Sequence, residues 1–257
     1  MNAEKLKSKQ KLNFQIMKKA KITVQKMKGK LWYYSLISII IGLGELICLT
    51  CCKKDEDKPA VEYGTVVDID GNSYKTVKIG SQEWMAENLK TTKYRNGDSI
   101  KTTIPSTLDL TNETSPKYQW AYGGIESNVA TYGRLYTWYA VTDSRNVCPI
   151  GWHIPTDAEW TTLTNYLGGI NVAGGKMKEI GTTHWETPNS GATNESGFTA
   201  LPGGFRDWKG TFYYLGHSGL WWDSVDAYWD IDFDYSYIDY WGDLWNNGYS
   251  VRCIKGY

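Results

Sequence analysis

Two cysteines, Cys148 and Cys253, constrain this chain more than any other feature, because they stand 105 residues apart behind an export signal. The other three cysteines, Cys48, Cys51 and Cys52, belong to the leader. In an oxidising compartment two leftover cysteines pair. The pairing ties the carboxyl-terminal segment to the middle of the domain and removes both thiols from catalysis.

The leader reads in three parts. Residues 1–30 hold ten lysines against a single acid, Glu4. Residues 31–50 form an apolar run whose one charged residue is Glu45. A basic stretch, an apolar stretch and a small-residue cleavage site describe a secretory signal. Met27 is the natural start, which makes residues 1–26 a basic extension and 27–51 the signal peptide. The run closes in Leu49-Thr50-Cys51-Cys52, which resembles a bacterial lipobox with Cys52 as the lipidated residue. An uncleaved membrane anchor is the alternative, since about 20 apolar residues span a bilayer, but Glu45 at that depth is costly. Residues 52–62, rich in Lys, Asp and Glu, have nothing to bury and read as a solvated tether. The expected location is the outer membrane, with the lipid anchor as the membrane contact.

Removing the leader changes the electrostatics. The whole chain balances 28 basic against 28 acidic residues. Subtracting the ten lysines and two acids of residues 1–51 leaves 18 basic and 26 acidic residues, a formal charge near −8. A domain of that sign lacks the Lys and Arg that neutralise phosphates, so nucleic acid is not an expected partner. Its abundant Gly, Trp and Tyr, with few long aliphatic stretches, point to a sheet-rich α+β domain over residues 63–257.

Along that domain, Val66 to Gly80 alternates about a turn at Asp70-Gly71 or Gly71-Asn72, a hairpin signature. Gln82 to Leu89 continues the second strand or turns after it, and residues 93–119 are polar and loop-like. Residues 132–141 fit a short helix or a buried strand equally. Thr156-Asp157-Ala158-Glu159 is a capping box opening a helix whose Trp160, Leu163 and Leu167 share one face, with Gly168-Gly169 ending it. A second, shorter helix is expected from about Val172 to Ile180, with strands and loops beyond.

These segments together resemble the Fibrobacter succinogenes major paralogous domain, a family of exported bacterial proteins. The resemblance runs through Asp68-Ile69-Asp70-Gly71-Asn72, Ile79 to Leu89, Tyr132-Gly133-Arg134-Leu135-Tyr136, and Cys148-Pro149-Ile150-Gly151-Trp152-His153-Ile154-Pro155-Thr156. It continues in Glu159-Trp160, Asn194 to Gly204, Trp221-Trp222 and Ser250-Val251-Arg252-Cys253. The layout also resembles C-type-lectin-like folds. That likeness implies twisted antiparallel strands, one or two short helices, long loops, and a disulfide from before the first helix to the last strand. Trp245-Asn246-Asn247 is loosely similar to a lectin Trp-Asn-Asp, but no Glu-Pro-Asn sugar motif and no inner disulfide accompany it. Fold likeness by itself carries no function.

The chemistry-bearing residues are sparse. His153, His184 and His217 stand in unlike contexts without zinc spacing and read as structural. Gly174-Gly175-Lys176 lacks the spacing of a phosphate loop. The segment 221–245 is the most unusual: Asp230, Asp232 and Asp234 alternate with Trp229, Ile231, Phe233 and Tyr235, placing three carboxylates on one face of a strand. The plain reading is an amphipathic strand with a solvated acidic face. A ligand site here would use Trp221, Trp222, Asp223, Asp226, Trp229, Asp230, Asp232, Asp234, Trp241 and Asp243. Calcium is the cation that Asp223, Asp226 and Asp243 would hold, since hard cations take carboxylate oxygens; no other cofactor is expected. The expected function is non-catalytic recognition of a glycan or an envelope protein. The alternatives are a carboxylate-dependent glycoside hydrolase and a purely architectural module.

Overall fold

The structure is a computed structural model and describes residues 61–242 and 245–256. The leader with Cys52, and Asp243, lie outside the described residues.

The chain folds as an α+β domain dominated by sheet. Its first hairpin forms as the alternation predicts: β1 (Tyr63–Val67) pairs antiparallel with β2 (Ser73–Ile79). Asp68 organises the turn, its Oδ1 accepting the N–H of Asp70 and of Asn72 at 2.9 Å each. Gly71 sits at φ 83°, where only glycine is comfortable. β3 (Gln82–Met85) then pairs back on β2. The remaining two strands of this sheet come from far along the chain. β6 (Trp152–His153) and β13 (Ile254–Lys255) complete the order β1-β2-β3-β13-β6.

The second sheet has eight strands. β4 (Gln119–Ala121), β5 (Arg134–Thr137), β7 (Gly203–Arg206), β9 (Ser218–Trp222), β10 (Ala227–Asp232), β11 (Asp239–Gly242) and β12 (Gly248–Tyr249) lie in the order β11-β10-β9-β7-β12-β5-β4. β8 (Phe212–Leu215) pairs on β7. All pairs are antiparallel except β7 with β9, where Gly204 faces Gly219.

The segment 132–141, ambiguous in sequence, is both things in turn. Strand β5 runs straight into the helical turn α2 (Trp138–Val141), and α1 (Val129–Tyr132) precedes it. The capping box forms: Thr156 accepts the N–H of Glu159, and Glu159 accepts that of Thr156, opening α3 (Asp157–Tyr166). α4 (Ile170–Met177) starts before and stops short of the expected 172–180 span, because Lys178 turns extended and bridges Ala200.

Alternation along β9 divides the interior into two clusters. Trp222 and Leu220 join Tyr74, Met85, Tyr136, Trp152 and Tyr249 around the disulfide. Trp221 joins Trp84, Trp160, Trp185, Phe198, Trp229 and Ile231 beneath α3. Successive strand residues point to opposite faces, and both faces of β9 are covered, so all five of its residues are buried. Cys148 and Cys253 are bonded, with Cα atoms 6.0 Å apart, inside the first cluster.

Candidate functional site

The residues that carry the family resemblance mostly build the interior. Asn88 is its polar hub. Its Nδ2 donates to Tyr132 O at 2.8 Å and Ser250 Oγ at 3.3 Å, while its Oδ1 accepts Trp221 Nε1 at 2.8 Å and Arg252 Nε at 2.9 Å. Arg252, wholly buried, also donates to Phe198 O and Thr199 O and lies 4.2 Å from the Phe198 ring. Every donor and acceptor of Asn88 is spent on holding loops together, which leaves it nothing for a ligand.

The expected ligand residues divide sharply. Trp221 and Trp222 are fully buried and Trp229 is 4 % exposed, so these three are corrected from stacking platforms to core. Burying such large apolar rings is worth more than displaying them. Asp223 is buried too. Its Oδ1 accepts the N–H groups of Val225, Asp226 and Ala227 at 2.8, 3.1 and 3.0 Å, and burial pushes its carboxyl pKa up. The Tyr240 hydroxyl nearby is pushed up to about 12 by burial and then by the charges of Asp223 and Asp157. Asp226 is exposed at φ 118°. No three His, Cys, Asp or Glu among the described residues are placed to hold a metal ion. Of the three expected calcium ligands only Asp223 and Asp226 are described, and the Asp223 Oδ1 is committed to three amides.

Asp230 and Asp232 do share one face of β10, opposite the buried Trp229 and Ile231. Asp234 does not join them. The strand ends at Asp232, because the Lys178 ammonium takes the carbonyls of Asp232, Phe233 and Tyr235 at 3.0, 3.3 and 2.7 Å. Register adds a residue the sequence did not suggest: Asp239 of β11 lies directly across from Asp230, and Trp241 across from Tyr228. Directly opposed antiparallel residues share a face with Cβ atoms about 5 Å apart.

Around this acidic stripe runs an arc of aromatic contacts that strand β10 itself closes into a ring. Tyr228 packs on the buried Tyr249 at 4.6 Å, and Phe205 packs on Tyr249 at 5.6 Å. Phe205 meets Tyr213 at 5.4 Å and Tyr214 at 5.7 Å. Tyr214 stacks on His217 at 4.9 Å, and His217 Nδ1 lies 3.5 Å from Asp232 Oδ1. Along β10, Asp230 completes the circuit back to Tyr228. Neighbouring strand residues normally face opposite ways. Tyr214 stands at φ 64°, a left-handed turn that brings it and Tyr213 onto the same Phe205 ring. Such a conformation is uncommon for a bulky residue and is held here by its surroundings. Phe205, Tyr213, Tyr214 and His217 were not anticipated as site residues. The one available signal was three consecutive aromatics, Phe212-Tyr213-Tyr214, between Gly210 and Gly216.

His217, Ser218 and Asp232 are in contact but do not form a nucleophilic triad. Ser218 Oγ donates directly to Asp232 and meets His217 Nδ1 at 2.8 Å, so the serine, not the histidine, sits in the middle. Ser218 is also 2 % exposed. A triad needs a base between acid and nucleophile, with the nucleophile open to substrate. His153 pairs with Glu159 at 2.9 Å, the same carboxylate that closes the capping box, and His184 pairs with Glu179 at 2.8 Å.

A second aromatic cluster lies on α2. Trp245 stacks on Trp138 at 5.0 Å and 24°, and Tyr139 meets Trp245 edge-on at 5.7 Å.

The chain matches the family described as Fibrobacter succinogenes major domain over residues 77–255. It belongs to that family. No curated protein and no solved structure matches it. In this Fibrobacter succinogenes major domain the matched span includes both sheets' central strands, the disulfide, the Asn88 hub and the aromatic–carboxylate ring.

Proposed function

We propose that this chain is a non-catalytic recognition module of a cell-envelope lipoprotein, anchored through Cys52, that binds a glycan on the face shared by β7, β8, β10 and β11. The observation that carries the reading is the ring joining Tyr228, Phe205, Tyr213, Tyr214 and His217 to Asp230 and Asp232. Half-exposed aromatic rings offer apolar faces, and carboxylates beside them accept hydroxyl hydrogen bonds, the combination that sugar sites require. All of the ring except His217 stands on strands, which hold it more rigidly than loops. The bridge from Cys148 ahead of α3 to Cys253 beside β13 supports a C-type-lectin-like plan.

The test is retention on polysaccharide columns, with and without calcium. The parent chain is retained, while Tyr214→Ala and Asp230→Asn elute at least tenfold weaker. Equal elution of parent and variants removes this face from consideration. Anchoring is checked separately: Cys52→Ser moves the protein from the membrane fraction to the soluble one.

A second reading is favoured by one observation. Asp230 and Asp239 oppose each other with Cβ atoms about 5 Å apart, near the carboxyl spacing of a retaining glycosidase, about 5–5.5 Å. Release of reducing sugar by the parent and none by Asp239→Asn would establish that reading over simple binding.

A further inference from the structure

β1 is one edge of the five-stranded sheet: β2 lies on one side, and no described strand pairs on the other. Its sequence, Tyr63-Gly64-Thr65-Val66-Val67, holds no charge and no proline, and its register with β2 runs without a bulge. Those are the devices that ordinarily protect a free edge. The hairpin fixes which backbone groups face outward. Asp68 N–H donates to Asn72 O at 3.0 Å, so residue 68 turns its main chain toward β2. That direction alternates along an antiparallel strand. Gly64 and Val66 therefore bond to β2, while Tyr63, Thr65 and Val67 turn their N–H and C=O groups away from it. The same three residues share one face and are all exposed, Val67 at 55 %.

We propose that this edge pairs with β1 of a second copy of the chain, antiparallel and centred on Thr65. A two-fold axis there sets Thr65 against Thr65 and Tyr63 against Val67. Each outward-facing residue then meets an outward-facing one, so every free N–H and C=O of the strand is answered. Threonine with threonine and aromatic with β-branched are favourable cross-strand pairs. A slip of one residue sets outward groups against inward ones, and a slip of two leaves one outward residue of each copy unmatched. One step further along the chosen register, Glu62 opposes Asp68, whose carboxylate is already turned into its own hairpin by Asn72 and Tyr74. Charge selects the same meeting place. With a formal charge near −8 on residues 52–257, two copies repel over most approaches, and an uncharged strip is where they can touch. The geometry suits two chains on one membrane. Cys52, the anchor proposed above, precedes Tyr63 by eleven residues, a reach of at most about 40 Å, against about 14 Å between the two Tyr63 residues along the pair. Only this last point rests on the anchoring, and none of the three residues belongs to the glycan face.

A five-residue strand pair buries less than the roughly 1,200 Å² of a stable interface, so covalent trapping is the readout that captures it. The full-length chain in detergent, carrying Thr65→Cys or Val67→Cys, is mildly oxidised. Linked peptides are then sequenced by mass spectrometry, which separates these positions from the leader cysteines. Thr65→Cys links to its own position in a second copy. Val67→Cys, whose symmetry mates stand about 14 Å apart, links to itself at least tenfold less. A mixture of Tyr63→Cys and Val67→Cys chains links across the two positions. Adding Thr65→Glu to both chains of that mixture opposes two carboxylates at the axis and cuts the link at least tenfold. Giving one of the two chains Thr65→Lys instead restores it. Within the fold Thr65→Glu faces Lys75 across the hairpin, so the single copy tolerates it. Equal linking at positions 65 and 67 means collision without register and overturns the proposal. A Tyr63–Val67 link indifferent to charge at position 65 overturns it as well. So does the absence of any link in chains whose Cys148–Cys253 bond is intact, which leaves the edge to a strand of another protein.

Discussion

Arg252 brings a positive charge into the interior without a carboxylate to meet it; its donors end on Asn88 Oδ1 and on the carbonyls of Phe198 and Thr199. Arg95 does the same nearer the surface, its Nη2 reaching Cys148 O, Pro149 O and Trp152 O at 3.0, 2.9 and 2.8 Å. Lys178 does it for residues 232–235. Irregular backbone must place its carbonyls somewhere, and in this domain buried cations supply the donors that a sheet ladder otherwise would. None of this is legible in sequence, because the acceptors are main-chain atoms and leave no residue pattern. Replacing Arg252 with Leu strands several acceptors at once, each worth about 1–3 kcal/mol. Urea unfolding of Arg252→Leu therefore shows a loss of at least about 3 kcal/mol. Lys178 gives a pH signature. Burial lowers its pKa to about 8 from 10.5 in the open chain. Below pH 8 both states hold the proton; between these values the unfolded chain holds more, so stability rises with pH across that window. Buried Tyr74 and Tyr136, whose pKa values burial raises, act in the opposite sense at higher pH. The melting temperature is expected to climb from pH 7.5 to 9.5, and Lys178→Met, less stable throughout, to lose that climb.

The clearest element in sequence is α3. Its capping box is local chemistry, four residues long, and it forms as read. Thr156→Ala removes the acceptor of the Glu159 N–H and half of that reciprocal pair. Thermal or urea unfolding should register about 1 kcal/mol for it. Strand β10 was legible in part. Its alternation put Trp229 and Ile231 inside and Asp230 and Asp232 on the other face. Its end was not legible, because the residue that stops it, Lys178, lies more than fifty positions earlier. The aromatic–carboxylate ring was half visible for a similar reason. Its acidic side lies on one strand with period two, while its aromatic side depends on a left-handed Tyr214 and on β7, which no periodicity announces.

At the scale of the whole molecule, the cysteine pair carried the most information in the sequence, and the bond is present. Its loop of 105 residues corresponds to about 4–5 kcal/mol in the chain-entropy picture. A Cys148→Ala/Cys253→Ala double variant is expected to lose about that much in urea unfolding. The buried tryptophans were also foreseeable as a class, since one domain cannot display a dozen. The strand order was not: β6, β12 and β13 are two residues each, too short for any periodic signal. One of those short pieces has a further consequence. Ile254 pairs with Trp84 on one side and His153 on the other, so β13 is a wedge between two strands made much earlier. Until it arrives, β3 and β6 have no common neighbour and the first sheet remains two separate fragments. Completion of this sheet therefore waits on the strand that comes last of its five in the chain.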